Sequence, residues 1–462
     1  MPRAYLWPLL LLLIAAITLG GGGTPAPQTE LLLQLIAAGC LVMTLYGPCR
    51  MTGLPPPPRL AWIAAALVVA LPLLQLVPLP PAVWQALPGR EIQAEALDLV
   101  GARDTWRSWS LFPGRTAASL LAIIPAVAAM LMMSRLHSQD FNWAVAAILL
   151  MVLLSLLLGA GQIVGGSDTA LRIYSQSNPG FLNGFQANRN AQADMLLIGM
   201  VAATATLRTL RGRVLKTSAA SLAITALAIL VLGVVLTGSR TGIALIPIVV
   251  IFCALIWHGI HRRVLLLLGS LVPAAILLAW LLRHNGVIQR IAGRFDAQSD
   301  FRSELWSDAL FAIAAYWPFG AGIGSAAPTL AAVERLEIVD MTSPNRVHND
   351  YLEFLLEAGI FGGLTIAALA GMLAYAGVTR FRQSAGEARR ALYFPAAVAA
   401  IIGLHSLVDY PLRSMSLAII AAAAMGILLA RPSKPIVPSA QGYIEGHGRL
   451  QQSVPPNGVH AA

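Results

Sequence analysis

A polar cluster at residues 346–357 holds the groups whose types and spacing could do acid–base chemistry. Arg346, His348 and Asn349 directly precede an apolar run that continues to about Val378 and is long enough to cross a membrane. Histidine is the side chain that changes its charge near neutral pH. A helix N-terminus lowers the proton affinity of a histidine, whereas nearby carboxylates raise it. We therefore predict that His348 is a catalytic base at the mouth of an active site.

Three carboxylates follow His348 at helical spacing. Asp350, Glu353 and Glu357 are spaced i, i+3 and i+7, so a helix places them on one stripe. Acids at a membrane entrance are costly unless they are paired, hydrated or used. His348, Asp350 and Glu353 could form a metal site, but their spacing matches no zinc pattern, and we predict no metal or cofactor. Asn349, Asp350 and Glu353 are weaker candidates for glycan or acceptor contacts.

The turn Leu236–Gly242 joins two apolar runs and contains a candidate anion site. Ser239 or Thr241 can cap the next helix, which leaves exposed N–H groups beside Arg240. The alternative is that Arg240 reaches lipid head groups at the membrane surface.

A second candidate is Arg302, in the first turn of a predicted amphipathic helix over Asp300–Trp317 that Pro318 ends. The alternative is that Arg302 belongs to a solvated face with salt bridges. The apolar face of this helix consists of Phe301, Leu305, Trp306, Ala309, Leu310 and Ile313.

Amides surround a third arginine, Arg189, within the segment 178–192. Asn188 and Asn190 could bind sugar hydroxyls, because an amide both donates and accepts hydrogen bonds. Asparagine is also common in loops, so the composition alone leaves both interpretations open.

His405, Asp409 and Arg413 are spaced i, i+4 and i+8 near the other end of the chain. This spacing predicts that Asp409 pairs with Arg413 and that His405 forms a hydrogen bond inside the helix bundle. We predict a structural role for these three residues.

The arginines and His348 are predicted on the same, outer side of the membrane. Several arginines with one histidine indicate a pyrophosphate ester handled outside the cytoplasm. A glycosyl transfer from a lipid pyrophosphate fits, because arginines stabilise the charge that grows on the departing pyrophosphate. His348 would remove the proton from the acceptor hydroxyl.

The composition is that of a polytopic helical membrane protein. The 462 residues are 57% hydrophobic and 11% charged, whereas soluble domains carry about 25% charged residues. The net charge of +10 fits membrane topology better than nucleic-acid binding.

About twelve apolar segments have spanning length: Tyr5–Gly20, Leu31–Tyr46, Leu60–Leu79, Ala117–Met133, Trp143–Val164, Ala193–Leu207, Ser218–Leu236, Ile243–Trp257, Val264–Leu282, Tyr351–Val378, Leu392–Val408 and Met415–Ala430.

Arginines and lysines concentrate in alternate connections, which predicts that both termini are cytoplasmic. The long loops then face outward, and the loop at 80–116, with Trp84, Trp106 and Trp109, is predicted to form an interfacial aromatic belt. The chain divides into four parts. Residues 1–169 are N-terminal membrane helices, 170–378 are a core that includes the outer loop at 283–349, 379–430 are C-terminal membrane helices, and 431–462 are a disordered cytoplasmic tail.

Two other classes of protein compete with an enzyme. A transporter or lipid flippase should have charges buried mid-membrane and two matching halves with broken helices. Here the charges concentrate at one face and the halves do not match, which favours an enzyme. A non-catalytic scaffold for polysaccharide export is the third class.

The motifs resemble the bacterial O-antigen ligase and polymerase family. The matching stretches are Leu236–Gly242 (LTGSRTG), Arg302–Gly324 (ending WPFGAGIG), Val347–Gly362 (VHNDYLEFLLEAGIFG), Leu404–Arg413 (LHSLVDYPLR), Phe185–Asn190 (FQANRN) and Ser110–Thr116 (SLFPGRT).

The resemblance implies a metal-independent, inner-membrane glycosyltransferase of the GT-C type. It implies transfer of a glycan from undecaprenyl pyrophosphate, at the periplasmic face, to lipid A-core in a ligase or to a growing glycan in a polymerase. On this resemblance Arg240 and Arg302 contact the pyrophosphate, His348 acts near the acceptor, and Arg189 is a further pyrophosphate contact. The partners are therefore lipid-linked glycan, acceptor and membrane lipid, and nothing separates ligase from polymerase.

Overall fold

Helices dominate the part of the chain that the computed structural model describes. That part comprises residues 4–22, 27–46, 54–166, 169–175, 177–211, 218–260, 302–335 and 345–431. The helices in chain order are α1 (Trp7–Leu19), α2 (Pro27–Leu45), α3 (Arg59–Gln75), α4 (Pro81–Trp84), α5 (Glu91–Asp98), α6 (Pro113–Arg135), α7 (Phe141–Val164), α8 (Arg189–Leu210), α9 (Ser218–Leu236), α10 (Arg240–His258), α11 (302–316), α12 (Ala326–Val333), α13 (Asp350–Gln383), α14 (Gly386–Ala391), α15 (Tyr393–His405) and α16 (Met415–Leu429). Short 3-10 helices lie at Ala4–Leu6 and Pro411–Arg413, and two antiparallel strands pair Pro78–Leu79 with Arg107–Ser108.

Helices of membrane-spanning character form the body of the molecule. Among the described residues, six helices are long and apolar enough to cross a membrane, namely α6, α7, α8, α9, α10 and α13. Four shorter apolar helices are α1, α2, α3 and α16. The structure thus supports an all-α membrane protein, while the number twelve stays a prediction. The predicted span Val264–Leu282, the parts 283–301 and 336–344 of the predicted loop 283–349, and the tail from residue 432 lie outside the described residues.

Helix α8 lies at the centre of this bundle. Residues 191–204 are all buried, so the helix is enclosed on every side rather than along one stripe. Its neighbours are α7, α9, α10 and α15. Gly199 allows the close approach of α7, because a Cβ there would lie 2.5 Å from Cγ1 of Val152. The N-terminus of α8, which carries Arg189, is thereby held rigidly.

Two of the three tryptophans in the loop at 80–116, Trp84 and Trp109, pack against other groups of the protein. Trp84 is 1% exposed and its Nε1 donates to the carbonyl oxygen of Thr105 at 3.0 Å. Trp109 packs edge-on against Phe319, with ring centroids 5.9 Å apart. Trp106 is exposed. The belt prediction was wrong for Trp84, because an internal carbonyl satisfies its indole N–H and the ring then fills a local core.

The predicted span Tyr351–Val378 is broken at Gly359. This residue has φ 56° and ψ −142°, which interrupts α13. A Cβ at Gly359 would lie 2.0 Å from the carbonyl oxygen of Pro318, so glycine is required by both its backbone angles and its contact. The N–H of Ile360 donates to that same oxygen at 2.9 Å. The three acids therefore lie on a short helix, 350–358, that is distinct from the long apolar helix after it.

Two of the motif stretches and the end of α3 meet around this break. The N–H groups of Ala321 and Gly322 donate to the carbonyl oxygens of Leu356 and Glu357, at 3.0 and 2.8 Å. The side chain of Gln75, fully buried, donates to the carbonyl oxygen of Glu357 at 3.0 Å and accepts from the N–H of Ile323 at 2.8 Å. These bonds tie the turn at 320–324, the end of α3 and the break together, and so fix the short helix 350–358.

Candidate functional site

His348 stands at the entrance to α13, in contact with two residues from the segment 406–414. Its Nδ1 lies 3.3 Å from Oδ1 of Asp409, and its ring meets that of Tyr410 edge-on at 4.8 Å between centroids. Its side chain is 26% exposed. The histidine thus combines a buried carboxylate partner with access from outside the protein.

His348 has φ 55°, the one positive φ at a non-glycine among the described residues. Both neighbours are fixed. The N–H of Val347 donates to Oε2 of Glu353 at 3.0 Å, and its carbonyl oxygen accepts from Nε1 of Trp306 at 3.1 Å. Asn349 caps α13 and donates to the carbonyl oxygen of Leu407 at 2.8 Å. Such a backbone costs about 1–3 kcal/mol, and strain of this kind concentrates at functional sites.

The carboxylate stripe is confirmed, and it is paired. Oε1 of Glu353 lies 3.0 Å from both Nη1 of Arg346 and Nη2 of Arg413, and Oε2 of Glu357 lies 2.7 Å from Nη2 of Arg413. Asp350 accepts from Oγ of Ser406 at 2.9 Å. Burial lowers the pKa of Arg413, but the neighbouring carboxylates outweigh it and raise that pKa above its ordinary value.

The ion pairs of Arg413 contradict the prediction that it pairs with Asp409, and they also bear on the predicted sugar contacts. Arg413 pairs with Glu353 and Glu357, so the predicted Asp409–Arg413 pair was wrong. Asp350 and Glu353 are almost wholly buried, and their oxygens accept from protein donors. Direct sugar contacts by these two and by Asn349 stay predictions. Among the described residues, no group of three or more His, Cys, Asp or Glu side chains is placed to hold a metal ion.

Asp409 is the functional candidate that the sequence did not indicate. Its carboxylate accepts a hydrogen bond from Nδ2 of Asn190 and faces His348. Burial raises the pKa of Asp409, but the contact with His348, the charge of His405 and the hydrogen bond from Asn190 outweigh burial and hold that pKa below its ordinary value. Asp409 is therefore a carboxylate at neutral pH. Burial and this neighbouring charge raise the pKa of Tyr410 to about 12, so the phenol stays protonated.

The N-termini of α8 and α10 lie side by side, and each helix begins with an arginine. Of the two predicted capping residues, Ser239 caps α10 by accepting from the N–H of Gly242 at 3.2 Å. The guanidinium of Arg189 lies 4.3 Å from the ring centroid of Phe181. A Cβ on Gly238 would be 3.6 Å from Nη1 of Arg189, so this guanidinium rests against the turn that leads into Arg240. Two positive helix ends and two arginines therefore meet at one place, a favourable anion site.

The helix α11 carries Arg302 and packs on the entrance to α13. Leu305 and Ala309 share a buried cluster with Val347 and Leu356. The charge of Arg302 acts on His405, which lies next to Asp409. The helix ends before Pro318 as predicted, but Leu310 is exposed and does not belong to the buried face. Phe301 lies outside the described residues.

The two asparagines beside Arg189 link the anion site to the histidine. Asn188 caps α8 by accepting from the N–H of Asn190 at 2.8 Å, and its Nδ2 contacts the hydroxyl of Tyr410 at 3.4 Å. Asn190 donates to Asp409, the partner of His348. The first two residues of α8 thus have separate contacts: Arg189 lies at the anion site, and Asn190 donates a hydrogen bond to Asp409, the carboxylate that faces His348. Glycan binding by the asparagines stays a prediction.

The fold and the site define a helical membrane protein with an arginine-flanked histidine–carboxylate pair. The family model described as O-antigen ligase matches residues 225–367. That range includes Arg240, Arg302 and His348, and it confirms the resemblance that the motifs indicated. No curated protein matches the chain. The domain match supports a function of the O-antigen ligase or polymerase type in surface polysaccharide biosynthesis.

Proposed function

We propose that this protein is a glycosyltransferase that moves a glycan from undecaprenyl pyrophosphate to an acceptor hydroxyl. The observation that supports it most is the placement of His348 against Asp409, with Asn190 connecting that carboxylate to the helix end where Arg189 lies. A base and an anion site joined in this way suit the displacement of a pyrophosphate by an alcohol.

In the proposed step the acceptor oxygen attacks the anomeric carbon and forms the new glycosidic bond. The bond from that carbon to the pyrophosphate oxygen breaks, and its electron pair leaves with the pyrophosphate. His348 takes the hydroxyl proton, and the carboxylate of Asp409 stabilises the imidazolium that results. Arg189, Arg240 and Arg302 stabilise the charge on the leaving group. A single displacement inverts the anomeric configuration, and three guanidinium groups supply the positive charge without a metal.

We place the reaction at the periplasmic face of the bacterial inner membrane, with about twelve spans and both termini cytoplasmic. The alternation of arginine-rich connections supports this orientation. Single cysteines at Ala297 and Gln383, in a cysteine-free background, test it in intact spheroplasts. An impermeant thiol reagent should label position 297 and spare position 383, and the opposite pattern would reverse the orientation.

The acceptor decides between the two members of this function class. A ligase would transfer the glycan to lipid A-core, and a polymerase would transfer it to a growing glycan of the same kind. Purified protein with lipid-linked donor and each acceptor in turn separates the two by the product formed. A transporter is disfavoured, because the charged residues of the sequence concentrate at one face and its two halves do not match.

The central test replaces His348 with glutamine. Transfer should fall by roughly the 10²–10⁴ of a lost general base, while donor binding stays close to that of the unaltered protein. His258→Gln is the matched control, since His258 ends α10, at the opposite end of the helix from Arg240. Near-normal turnover of His348→Gln on purified donor and acceptor would overturn the proposed mechanism.

A further inference from the structure

Asp194 and His405 form a buried contact that the proposed step does not use. Nδ1 of His405 lies 2.6 Å from Oδ1 of Asp194, and the side chains are 1% and 0% exposed. Asp194 is one turn beyond Asn190 on α8, and His405 ends α15. A charged pair taken fully out of water is costly, so its retention next to the site suggests a role beyond packing.

The second ring nitrogen of His405 also faces a carboxylate. Its Nε2 lies 3.8 Å from Oδ2 of Asp409. A neutral imidazole has one donor and one acceptor nitrogen, and its acceptor would repel the carboxylate that it faces. An imidazolium donates from both nitrogens and suits both neighbours. The geometry therefore favours a charged His405 between two carboxylates.

The same carboxylates line a small cavity. It is large enough for about one water molecule. Its wall consists of Asn188, Ala191, Asp194, Asp409, Tyr410, Pro411 and Ser414. A polar space of this size can hydrate buried carboxylates without opening them to bulk solvent. Five polar or charged groups face Asp409: Asp194 and Asn190 from α8, His405 from the end of α15, Tyr410 from its own segment, and His348 ahead of α13. The charge of Arg302 from α11 acts on His405.

We propose that Asp194 and His405 are positioning residues for the transfer reaction. In this proposal Asp194 balances the positive charge of His405, so that the negative charge of Asp409 remains available to stabilise the imidazolium of His348. This inference rests on the proposed function. Asp194, His405 and Asp409 together carry one net negative charge, and the proton that His348 takes from the acceptor neutralises it. Without Asp194, the imidazolium of His405 would be balanced by Asp409 alone, and His348 would lose its counter-charge.

The test is Asp194→Asn, measured by two pH profiles. One is the turnover number, and the other is the fraction of His348 that diethyl pyrocarbonate modifies, determined by mass spectrometry without substrate. The reagent attacks the neutral imidazole, and His405 is too buried to compete. Both midpoints should move to lower pH by roughly one pH unit, the effect of losing a nearby opposite charge.

The double variant Asp194→Asn/His405→Gln removes both charges and should bring both midpoints back toward those of the unaltered protein. A purely structural role predicts the opposite, namely unchanged midpoints and greater damage in the double variant. Thr204→Val is the control on α8, because it removes a buried hydroxyl that bonds the carbonyl oxygen of Met200 and leaves the charges intact. Should Asp194→Asn not fold, His405→Gln alone takes its place: it leaves Asp194 and Asp409 without the cation between them, so both midpoints should move to higher pH, and unchanged midpoints would count against the inference.

The two proposals fail in distinguishable ways. If His348→Gln retains transfer, the proposed function fails whatever the modification profile shows. If His348→Gln is inactive but Asp194→Asn leaves both midpoints unchanged, the proposed function stands and only the role of Asp194 and His405 is lost.

Discussion

Replacing Asp409 with asparagine removes the charge behind His348 and leaves the shape of the site. The amide oxygen of asparagine can still accept from Asn190, and the carbonyl oxygen of residue 409, which accepts from the N–H of Asp350 at 3.2 Å, is unchanged. The substitution therefore tests the carboxylate and not the fold around it.

The size of the expected effect follows from the 3.3 Å between Nδ1 of His348 and Oδ1 of Asp409. At an effective dielectric constant of about 20, two unit charges at this separation attract by about 5 kcal/mol. Solvent at the partly exposed histidine reduces this figure, so we expect a loss of about 3–4 kcal/mol in the transition state, or roughly 10²–10³ in turnover number.

The assay is transfer from purified lipid-linked donor at saturating acceptor, with turnover number and KM measured separately. The turnover number should fall while the donor KM changes little, because the carboxylate acts on the imidazolium formed during the step. His348→Ala/Asp409→Asn should be no slower than His348→Ala alone, since groups that act as a unit are not additive. A near-normal turnover number, or fully additive losses, would refute the link between the two residues.

Three further predictions concern the anion site, the break in α13 and metal dependence. Arg240→Ala and Arg302→Ala should each remove most transfer in protein that still inserts, with poor rescue by lysine, which lacks the planar fork for phosphate; Arg103→Ala, at an exposed loop position, is the control. Gly359→Ala should lower the midpoint of thermal unfolding by several degrees, because the added Cβ would lie 2.0 Å from a carbonyl oxygen and the backbone strain adds about 1–3 kcal/mol. Gly371→Ala is the control: its added Cβ meets no atom within 4 Å, so the midpoint should stay unchanged. EDTA should leave transfer by the purified protein unchanged, and a block that one added divalent metal reverses would contradict the arginine-based account.

Features set by a few neighbouring residues could be predicted from the sequence. Ser239, one of the two predicted capping residues, caps α10, and the separate helix α11 ends before Pro318 as predicted. Both features are local, because a capping hydroxyl and a proline act within one helical turn. The stripe of Asp350, Glu353 and Glu357 likewise follows from the helical repeat.

The break at Gly359 could not be predicted in this way. Apolar residues continue on both sides of it, so hydropathy gives one uninterrupted span. Its cause is a carbonyl oxygen of Pro318, which belongs to a separate segment. The partner of Asp409 was missed for the same reason. Along the chain the nearest cation on the same face is Arg413, but Arg413 is neutralised by two acids from α13, and this leaves Asp409 to His348.

The arrangement also constrains how a substrate must bind. An in-line displacement needs the attacking oxygen and the leaving oxygen on opposite sides of the anomeric carbon. In the proposed reaction, the positive helix ends that carry Arg189 and Arg240 supply the leaving-group side, and His348 supplies the attacking side. Asn190 lies next to Arg189 in the chain and donates to Asp409, the carboxylate that faces His348. The N-terminus of α8 therefore contacts both the leaving-group side and the attacking side of the proposed site. The proposed reaction therefore requires that the reacting sugar lie across the N-terminus of α8.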